Sequence, residues 1–170
     1  MQYIAYCERV NIMISNSDVL QMMEHKYALF GLFFAFHNRL QATGDTFYEE
    51  ITCKQFFLMA CMNIFKEEAP TMNDLSKVMG CSRQNVKQIV SSLEKKGFIE
   101  LRVSETDKRK QQIYLTKKSF EMAEKYRIKE TEFIERMFRG VTEEEVDVAY
   151  GIISKIEVNL KNMEDKNNEE

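Results

Sequence analysis

The sequence predicts a mostly α-helical protein with one small β-hairpin, a fold of the α+β class. Its 170 residues include only six Gly and one Pro, so few positions interrupt long helices. Apolar residues recur at steps of three and four through most of the chain, and the period changes to two between residues 99 and 115. Hydrophobic residues make up 44% of the chain, which is enough for a core that needs no disulfide.

One long helix is predicted in the N-terminal region, after an arm at residues 1–16 that shows no clear period. From Ser17 to Thr43 the spacing is helical, and apolar side chains cover nearly the whole circumference. Such a helix needs cover on two sides, so we expect it to pack against its own domain and against a partner chain. Gly44 and Asp45 follow with turn chemistry and are expected to end the helix.

Two shorter helices are predicted next along the chain. Apolar residues at helical spacing predict the first of them from about Thr52 to Glu67. Thr71 and Asp74 have the spacing of a capping box, which opens a second, shorter helix. Gly80 is expected to end this helix, as glycine often does just past a helix C-terminus.

The following helix is predicted from its cap at Ser82 to Lys96, where Gly97 stops it. Its inward stripe consists of Val86, Ile89, Val90 and Leu93. Residues 99–115 then predict a hairpin around a charged tip at Ser104–Lys110. The apolar strand positions are Ile99, Leu101, Val103, Ile113 and Leu115. A short helix, a tight turn, a second helix and a hairpin together form a winged helix-turn-helix.

Two further helices are predicted to finish the chain. The first runs from about Lys117 to Arg139, and Thr142 with Glu145 forms a capping box for the second. Apolar residues follow at the spacing of a coiled-coil seam: Val146, Ala149, Ile153, Ile156, Leu160 and Met163. This seam predicts contact with another helix.

The formal net charge of −3 conceals a gradient along the chain. Residues 71–116 carry a net charge of +4, whereas residues 1–70 carry −3 and residues 117–170 carry −4. A basic module between acidic ends is typical of a protein in which one part faces nucleic-acid phosphate. No stretch reaches the roughly 18 apolar residues of a membrane span, and the N-terminal segment is a poor signal peptide. We therefore expect a cytoplasmic protein without membrane contact.

The helix from Ser82 carries side chains that can read base edges on the face opposite its apolar stripe. Arg pairs with guanine in the major groove, and Asn and Gln pair with adenine. The predicted DNA-contacting residues are Ser82, Arg83, Gln84, Asn85, Lys87, Gln88 and Ser91, with Lys108, Arg109 and Lys110 at the hairpin tip. The alternative interpretation is a merely solvated helix face, which would need neither the two flanking glycines nor a basic hairpin.

From Thr52 to Thr116, and more loosely over its whole length, the chain resembles the MarR family of bacterial regulators. The matching segments are ITCKQFFLM, TMNDLSKVMGCSRQNVKQIVSSLEKKGFIE and LRVSETDKRKQQIYLT. The most specific match is the D-x-R motif of the family's wing, present as Asp107-Lys108-Arg109. The resemblance implies that Asp107 braces the wing and that Arg109 enters the minor groove. One departure is Lys118-Ser119, where the family usually has a glycine.

The resemblance also implies a homodimer joined by the N- and C-terminal helices, in agreement with the over-apolar first helix and the C-terminal seam. The domains are then a helical dimerisation region at 17–50 and 117–165 and a winged helix-turn-helix DNA-binding domain at 51–116. Two such modules would meet half-sites about 34 Å apart in a pseudo-palindromic operator. The expected function is a transcriptional regulator that binds specific double-stranded DNA, with repression as the working prediction.

Members of the family often release DNA when a small phenolic or lipophilic molecule binds, and others respond to cysteine oxidation or zinc. Candidate pocket residues for a small apolar or aromatic effector are Phe30, Phe33, Phe34 and Phe56, although each also suits an ordinary core. Cys7 and Cys53 are the candidate redox sensors, the alternative being simple reduced thiols. His25 and His37 lie too far apart on one helix to predict a metal site.

No enzyme is expected, and the sequence assigns no catalytic residue, cofactor or metal. It lacks the phosphate-binding G-x-x-x-x-G-K loop, the metalloprotease H-E-x-x-H and the hydrolase G-x-S-x-G. The alternative function is a winged-helix protein–protein interaction module that has lost DNA binding. Its mark would be neutral or acidic residues at the hairpin tip, where this chain has Lys108, Arg109 and Lys110.

Overall fold

The structure is a computed structural model that describes residues 24–167. In this part of the chain the elements are α1 (His25–Asp45), α2 (Cys53–Met62), α3 (Met72–Met79), α4 (Arg83–Lys95), β1 (Ile99–Val103), β2 (Gln111–Leu115), α5 (Lys117–Met137) and α6 (Glu143–Asn167). They belong to two compact units that divide after Ser119. The predicted class, mostly helical with one hairpin, is confirmed. The predicted arm at residues 1–16 and the predicted helix start at Ser17 lie outside the described residues.

The corner between α1 and α2 differs from the prediction, because Gly44 lies inside α1 and does not end it. A Cβ atom at Gly44 would lie 2.6 Å from the Sγ atom of Cys53, so this glycine allows the two helices to approach closely. The carboxylate Oδ1 of Asp45 accepts a hydrogen bond from the backbone N–H of Cys53 at 2.7 Å. The turn-forming residues Gly44 and Asp45 therefore mark a corner at which α1 and α2 pack closely, and Gly44 does not end α1.

Helix α2 begins as predicted and ends earlier than predicted. Thr52 caps it in a reciprocal box with Gln55. The helix ends at Met62 instead of Glu67, and the next three N–H groups bond to carbonyls three residues back, in tighter turns. The early end lets the chain run alongside the hairpin, where the carbonyl of Pro70 accepts from the N–H of Ile113 at 2.9 Å.

The winged helix-turn-helix forms with nearly the predicted boundaries. Gly80 ends α3 in the left-handed conformation with φ 59°, and Ser82 caps α4. In the antiparallel hairpin Ile99 pairs with Leu115, and residues 104–110 form the tip. The fully buried core side chains of this module include Leu58, Leu75, Val86, Val90, Leu93, Phe98 and Ile113. Val103 is exposed, because the strand end beside the tip extends beyond this core.

The second unit contains α6 and all of α5 from Phe120 onward. Thr142 and Glu145 form the predicted capping box: the backbone N–H of Glu145 donates to the hydroxyl of Thr142 at 3.2 Å, and the N–H of Thr142 donates to the carboxylate of Glu145 at 2.9 Å. Large apolar side chains of α6 are exposed, among them Ile153, Leu160 and Met163. None of the helices between residues 24 and 167 is long and apolar enough to cross a membrane.

Candidate nucleic-acid interface

Helix α4 has one face in the core and one face in solvent. Val86, Val90 and Leu93 are fully buried, and Ile89 is half-buried at the edge of that stripe. The opposite face exposes Ser82, Arg83, Gln84, Asn85, Lys87 and Gln88, while the predicted contact Ser91 is half-buried. The helix therefore presents a continuous polar surface that its own module does not use.

The entry to α4 is fixed by the preceding helix and turn. The hydroxyl of Thr71 accepts from the N–H of Asp74 at 3.3 Å, and the carboxylate of Asp74 accepts from the N–H of Thr71 at 2.9 Å. The hydroxyl of Ser82 accepts from the N–H of Asn85 at 3.2 Å. These caps satisfy the unpaired N–H groups at each helix start and so set the direction of both helices.

A hydrogen-bonded cluster of polar side chains at the C-terminal end of α4 was not predicted from the sequence. The buried amide of Gln55 donates to the hydroxyl of Ser92 at 2.8 Å. The ammonium of Lys96 donates to the Oε1 atom of Gln55 at 3.0 Å and to the carbonyl of Glu50 at 2.7 Å. The capping position of Gln55 was visible in the sequence, but its partners 37 and 41 residues away were not. The cluster joins α4 to the start of α2.

The tip of the wing is organised by Asp107. Its Oδ1 atom accepts from the backbone N–H of Arg109 at 3.1 Å and from the guanidinium Nε at 3.2 Å. These two hydrogen bonds, with a smaller effect of nearby Lys110, hold the pKa of Asp107 below its ordinary value. The side chain of Arg109 nevertheless remains 91% exposed. The tip thus presents the Arg109 guanidinium to solvent in a direction set by its hydrogen bonds to Asp107, as expected of a side chain that enters a DNA groove.

Further hydrogen bonds close the loop around this pair. The N–H of Lys110 donates to the carbonyl of Asp107 at 2.9 Å, and the N–H of buried Ser104 donates to the carbonyl of Lys110 at 3.0 Å. The hydroxyl of Ser104 accepts from the N–H of Asp107 at 3.3 Å. Lys108 and Lys110 are exposed on this closed loop.

The second strand of the wing is tied to the segment before α3. The buried amide of Gln112 donates to the carboxylate of Glu68 at 2.8 Å, and the hydroxyl of Tyr114 donates to the amide oxygen of Gln112 at 3.2 Å. The contact was not predicted from the sequence, because Gln112 and Glu68 lie 44 residues apart. The wing is consequently held along β2 as well as at its tip.

Lys118 and Ser119, where the chain departs from the family pattern, make contacts of their own. The ammonium of Lys118 lies 3.0 Å from the carboxylate of Glu50 and 4.2 Å from the ring centre of Phe98. The hydroxyl of buried Ser119 donates to the carbonyl of Phe98. A glycine would supply neither contact.

A cleft of about 500 Å³ lies between the helix-turn-helix and the wing. Residues from α3, from the start of α4 and from the wing line it: Thr71, Met72, Asn73, Asp74, Lys77, Arg83, Arg109, Lys110 and Gln111. Arg83, Arg109 and Lys110 are predicted contact residues, and the cleft brings them together. Lys77 and Asn73 were not predicted as contacts.

The candidate pocket residues form two aromatic pairs. The rings of Phe30 and Phe34 meet edge to face with centres 5.2 Å apart, and both side chains are exposed. The half-buried ring of Phe56 stacks on that of Tyr48 at 4.9 Å. Phe33 is half-buried on α1.

The thiol environments do not favour oxidation at Cys53. Burial, with a smaller contribution from the charge of Asp45, raises the pKa of its half-buried thiol above the ordinary value. A sensing cysteine needs the opposite shift, because the thiolate is the reactive form. Cys7 lies outside the described residues. Within residues 24–167 no three His, Cys, Asp or Glu side chains are placed to hold a metal ion.

Comparison with known proteins shows which family part of this chain resembles. Residues 58–110 match the model of the MarR family. No curated protein matches. The solved structures that share the fold include a MarR protein of Peptoclostridium difficile, at 20% identity and a TM-score of 0.73 over 91% of this chain and 97% of that one.

Two further solved structures contain DNA. The MepR–DNA complex of S. aureus is 21% identical with a TM-score of 0.67 over 76% of this chain and 94% of that one. FabT of Streptococcus pneumoniae in complex with DNA is 23% identical with a TM-score of 0.59 over 82% of this chain and 99% of that one. The family model over residues 58–110 and the shared fold confirm the resemblance to the MarR family found in the sequence.

Proposed function

We propose that the chain is a transcriptional regulator that binds specific double-stranded DNA and performs no catalytic step. The observation that carries this proposal is the exposed polar face of α4, where Arg83, Gln84, Asn85, Lys87 and Gln88 all point away from a completed core. These side chains have the donors and acceptors that read base edges in the major groove. The DNA complexes of MepR and FabT support the same use of this fold.

In this proposal the wing supplies the second contact. With α4 in the major groove, the hairpin tip reaches the neighbouring minor groove, where a guanidinium is favoured. Arg109 is the inserted cation, and Asp107 fixes its direction through the two hydrogen bonds to Oδ1. Lys108 and Lys110 add positive charge beside the sugar-phosphate backbone of the DNA.

The proposed assembly is a homodimer on a pseudo-palindromic operator. Helix α6 exposes Ile153, Leu160 and Met163 along one seam, and α1 exposes Phe30 and Phe34. Exposed apolar rows of this kind on a soluble chain mark contact surfaces. A two-fold dimer would present two α4 helices to half-sites about one DNA turn apart.

The proposed release signal is a small apolar or aromatic molecule that binds among the α1 aromatic residues. The exposed edge-to-face pair of Phe30 and Phe34 offers such a surface. Oxidation of Cys53 is the less supported signal, because burial raises the pKa of its thiol and so disfavours the reactive thiolate. To test this part, the loss of DNA binding on addition of a small apolar or aromatic molecule is measured for wild type and for Phe34→Ala.

The deciding experiment measures binding to the DNA upstream of the protein's own gene by fluorescence anisotropy. Affinity should fall steeply with salt, because several phosphates are neutralised. Arg109→Ala should weaken binding by about 1–3 kcal/mol, or about five- to 150-fold. The matched control is Arg139→Ala, which removes the same charge from an exposed position in the C-terminal unit. A complex insensitive to salt, or equal affinities for both variants, would instead favour the protein-interaction module.

A further inference from the structure

The cleft between the helix-turn-helix and the wing separates the two elements that are proposed to read DNA. It is lined by α3 and Thr71 just before it, and by the wing residues Arg109, Lys110 and Gln111. Arg83, the first residue of α4, lies at the same cleft. The cleft is therefore bounded by both the helix-turn-helix and the wing.

The charges around the cleft are mostly positive. Lys77, Arg83, Arg109 and Lys110 are basic, and Asp74 is the one acidic residue among its lining side chains. One carboxylate oxygen of Asp74 accepts from the N–H of Thr71 at 2.9 Å and from its hydroxyl at 2.7 Å. The carboxylate is thus committed to the helix cap, while the four cationic residues line the cleft.

The geometry of duplex DNA says which anion reaches this space. A major groove and the adjacent minor groove are separated by one sugar-phosphate strand. A module that inserts α4 into the first groove and a wing into the second must straddle that strand. The cleft is the space between the inserted elements, so the phosphodiesters of the strand pass along it.

We propose that this cleft holds the sugar-phosphate strand between the two grooves and that Lys77 is a phosphate contact there. The proposal rests on the proposed function and deepens it. Lys77 is exposed in the last turn of α3 and belongs to an element that the sequence reading had given no DNA contact. It positions the module without reading sequence, because a phosphate contact is the same at every base pair.

Salt dependence measures the phosphate contact directly. Each neutralised phosphate contributes about 0.9 to the slope of log affinity against log salt, so Lys77→Ala should lower the slope by about 0.9. At about 0.1 M salt this corresponds to a five- to tenfold loss of affinity. Lys77→Arg should restore the slope, because it keeps the cation. Lys95→Ala is the matched control, since it removes the same charge from an exposed position in the last turn of α4, outside the cleft lining.

A second comparison distinguishes a phosphate contact from a base contact. Lys77→Ala should weaken binding to the operator and to a scrambled duplex by the same factor, whereas Asn85→Ala should weaken binding to the operator alone. Thermal unfolding of each variant shows whether a loss reflects folding. Lys77→Gln serves as the second neutral variant if Lys77→Ala is unstable.

Neutralising the DNA instead of the protein locates the contact. Single methylphosphonate substitutions along each operator strand should include one position at which wild type and Lys77→Ala bind equally well. That position should lie on the strand between the α4 and wing footprints. Inorganic phosphate at matched ionic strength should not displace the DNA from wild type selectively. Selective displacement would indicate a free-anion site and overturn the assignment.

The outcomes separate the two proposals. If wild type binds no duplex with salt-dependent affinity, the proposed function fails. If wild type binds DNA and Lys77→Ala retains the full slope, the contact assigned to Lys77 fails while the proposed function stands. An operator-selective loss in Lys77→Ala would also overturn it, because it would indicate base reading by this residue.

Discussion

Helix α4 and helix α6 both carry an apolar stripe, but only α4 buries it within the described chain. Leu93 of α4 has no exposed surface, whereas 60% of Leu160 in α6 is exposed. The stripe of α4 is covered by α3 and the hairpin of its own module, with Leu75, Phe98 and Ile113 also fully buried. Helix α6 has an apolar row in solvent instead.

This difference indicates which surface each helix offers to other molecules. The apolar stripe of α4 is buried in the core of its own module, so only the polar face is available to a ligand. The module around α4 carries a net charge of +4. Helix α6 offers its apolar face, in a region with a net charge of −4. A basic polar face suits DNA, and an exposed apolar row suits another protein surface. The comparison thus separates the surface proposed to recognise DNA from the surface proposed for assembly along one chain.

The largest effect should come from truncating the buried stripe. Leu93→Ala leaves a cavity in the core of the winged module and should lower the free energy of unfolding by about 2–5 kcal/mol. Leu160→Ala removes the same atoms from an exposed position and should cost less than about 0.5 kcal/mol when measured on the monomer. Urea denaturation followed by circular dichroism tests both. Equal losses in the two variants would remove the distinction between the helices.

A charge in the α6 seam should affect association and leave the winged module folded. In the proposed two-fold dimer, Leu160→Glu would place a carboxylate in the apolar contact, where the two copies would meet. We expect the dimer to weaken by about 2–3 kcal/mol, roughly 30- to 150-fold in Kd. Asn162→Glu adds the same charge two residues away, off the seam, and is the control. Sedimentation equilibrium measures both, and an unchanged Kd in Leu160→Glu would exclude this seam as the dimer contact.

Local signals predicted the winged module and the start of α6 well. The capping boxes at Thr71 and Thr142, the left-handed turn at Gly80 and the hairpin tip at residues 104–110 all depend on neighbours a few positions apart. Their chemistry can be read from spacing because both partners lie in the same short segment. The polar face of α4 followed from the same reasoning, once the apolar stripe was recognised.

Contacts between distant segments were the part that the sequence could not supply. The close approach of Gly44 to Cys53, the early end of α2 and the hydrogen bond from Gln112 to Glu68 all depend on how elements pack. The basic cleft is of the same kind, because Lys77 and Lys110 meet only after α3 and the wing have folded together. The spacing of residues along the chain does not indicate such contacts between distant segments.

The two capping boxes allow a smaller comparison of the same regions. Thr71→Ala should destabilise the winged module by about 1 kcal/mol, because Thr71 is half-buried and its box is completed by a carboxylate. Thr142→Ala should cost about 0.5 kcal/mol, since its box at the start of α6 is exposed to water. Urea midpoints of Thr71→Ser and Thr142→Ser, which keep the hydroxyl, are the controls. A larger loss at Thr142 would contradict the role assigned to burial.

The smallest expected effect concerns acid. Hydrogen bonds from Thr71, followed by the charges of Lys77 and Lys110, hold the pKa of Asp74 below its ordinary value of 3.8, although partial burial acts the other way. A carboxyl whose pKa is lower in the folded state stabilises the fold above its unfolded pKa and loses this contribution as pH falls through the folded pKa. The contribution should therefore be complete at neutral pH and decline below about pH 4.

Asp74→Asn isolates this contribution, because an amide oxygen can still accept from Thr71 while the charge at the helix start is gone. At pH 7 the variant should be less stable by about 0.3–1 kcal/mol, the range for an acidic side chain at a helix N-terminus. Its stability should then fall less than that of wild type between pH 5 and pH 2. Urea midpoints across that range measure the difference, with Glu145→Gln in the exposed box of α6 as the comparison variant. Parallel pH profiles for wild type and Asp74→Asn would show that the charge of Asp74 does not stabilise the winged module.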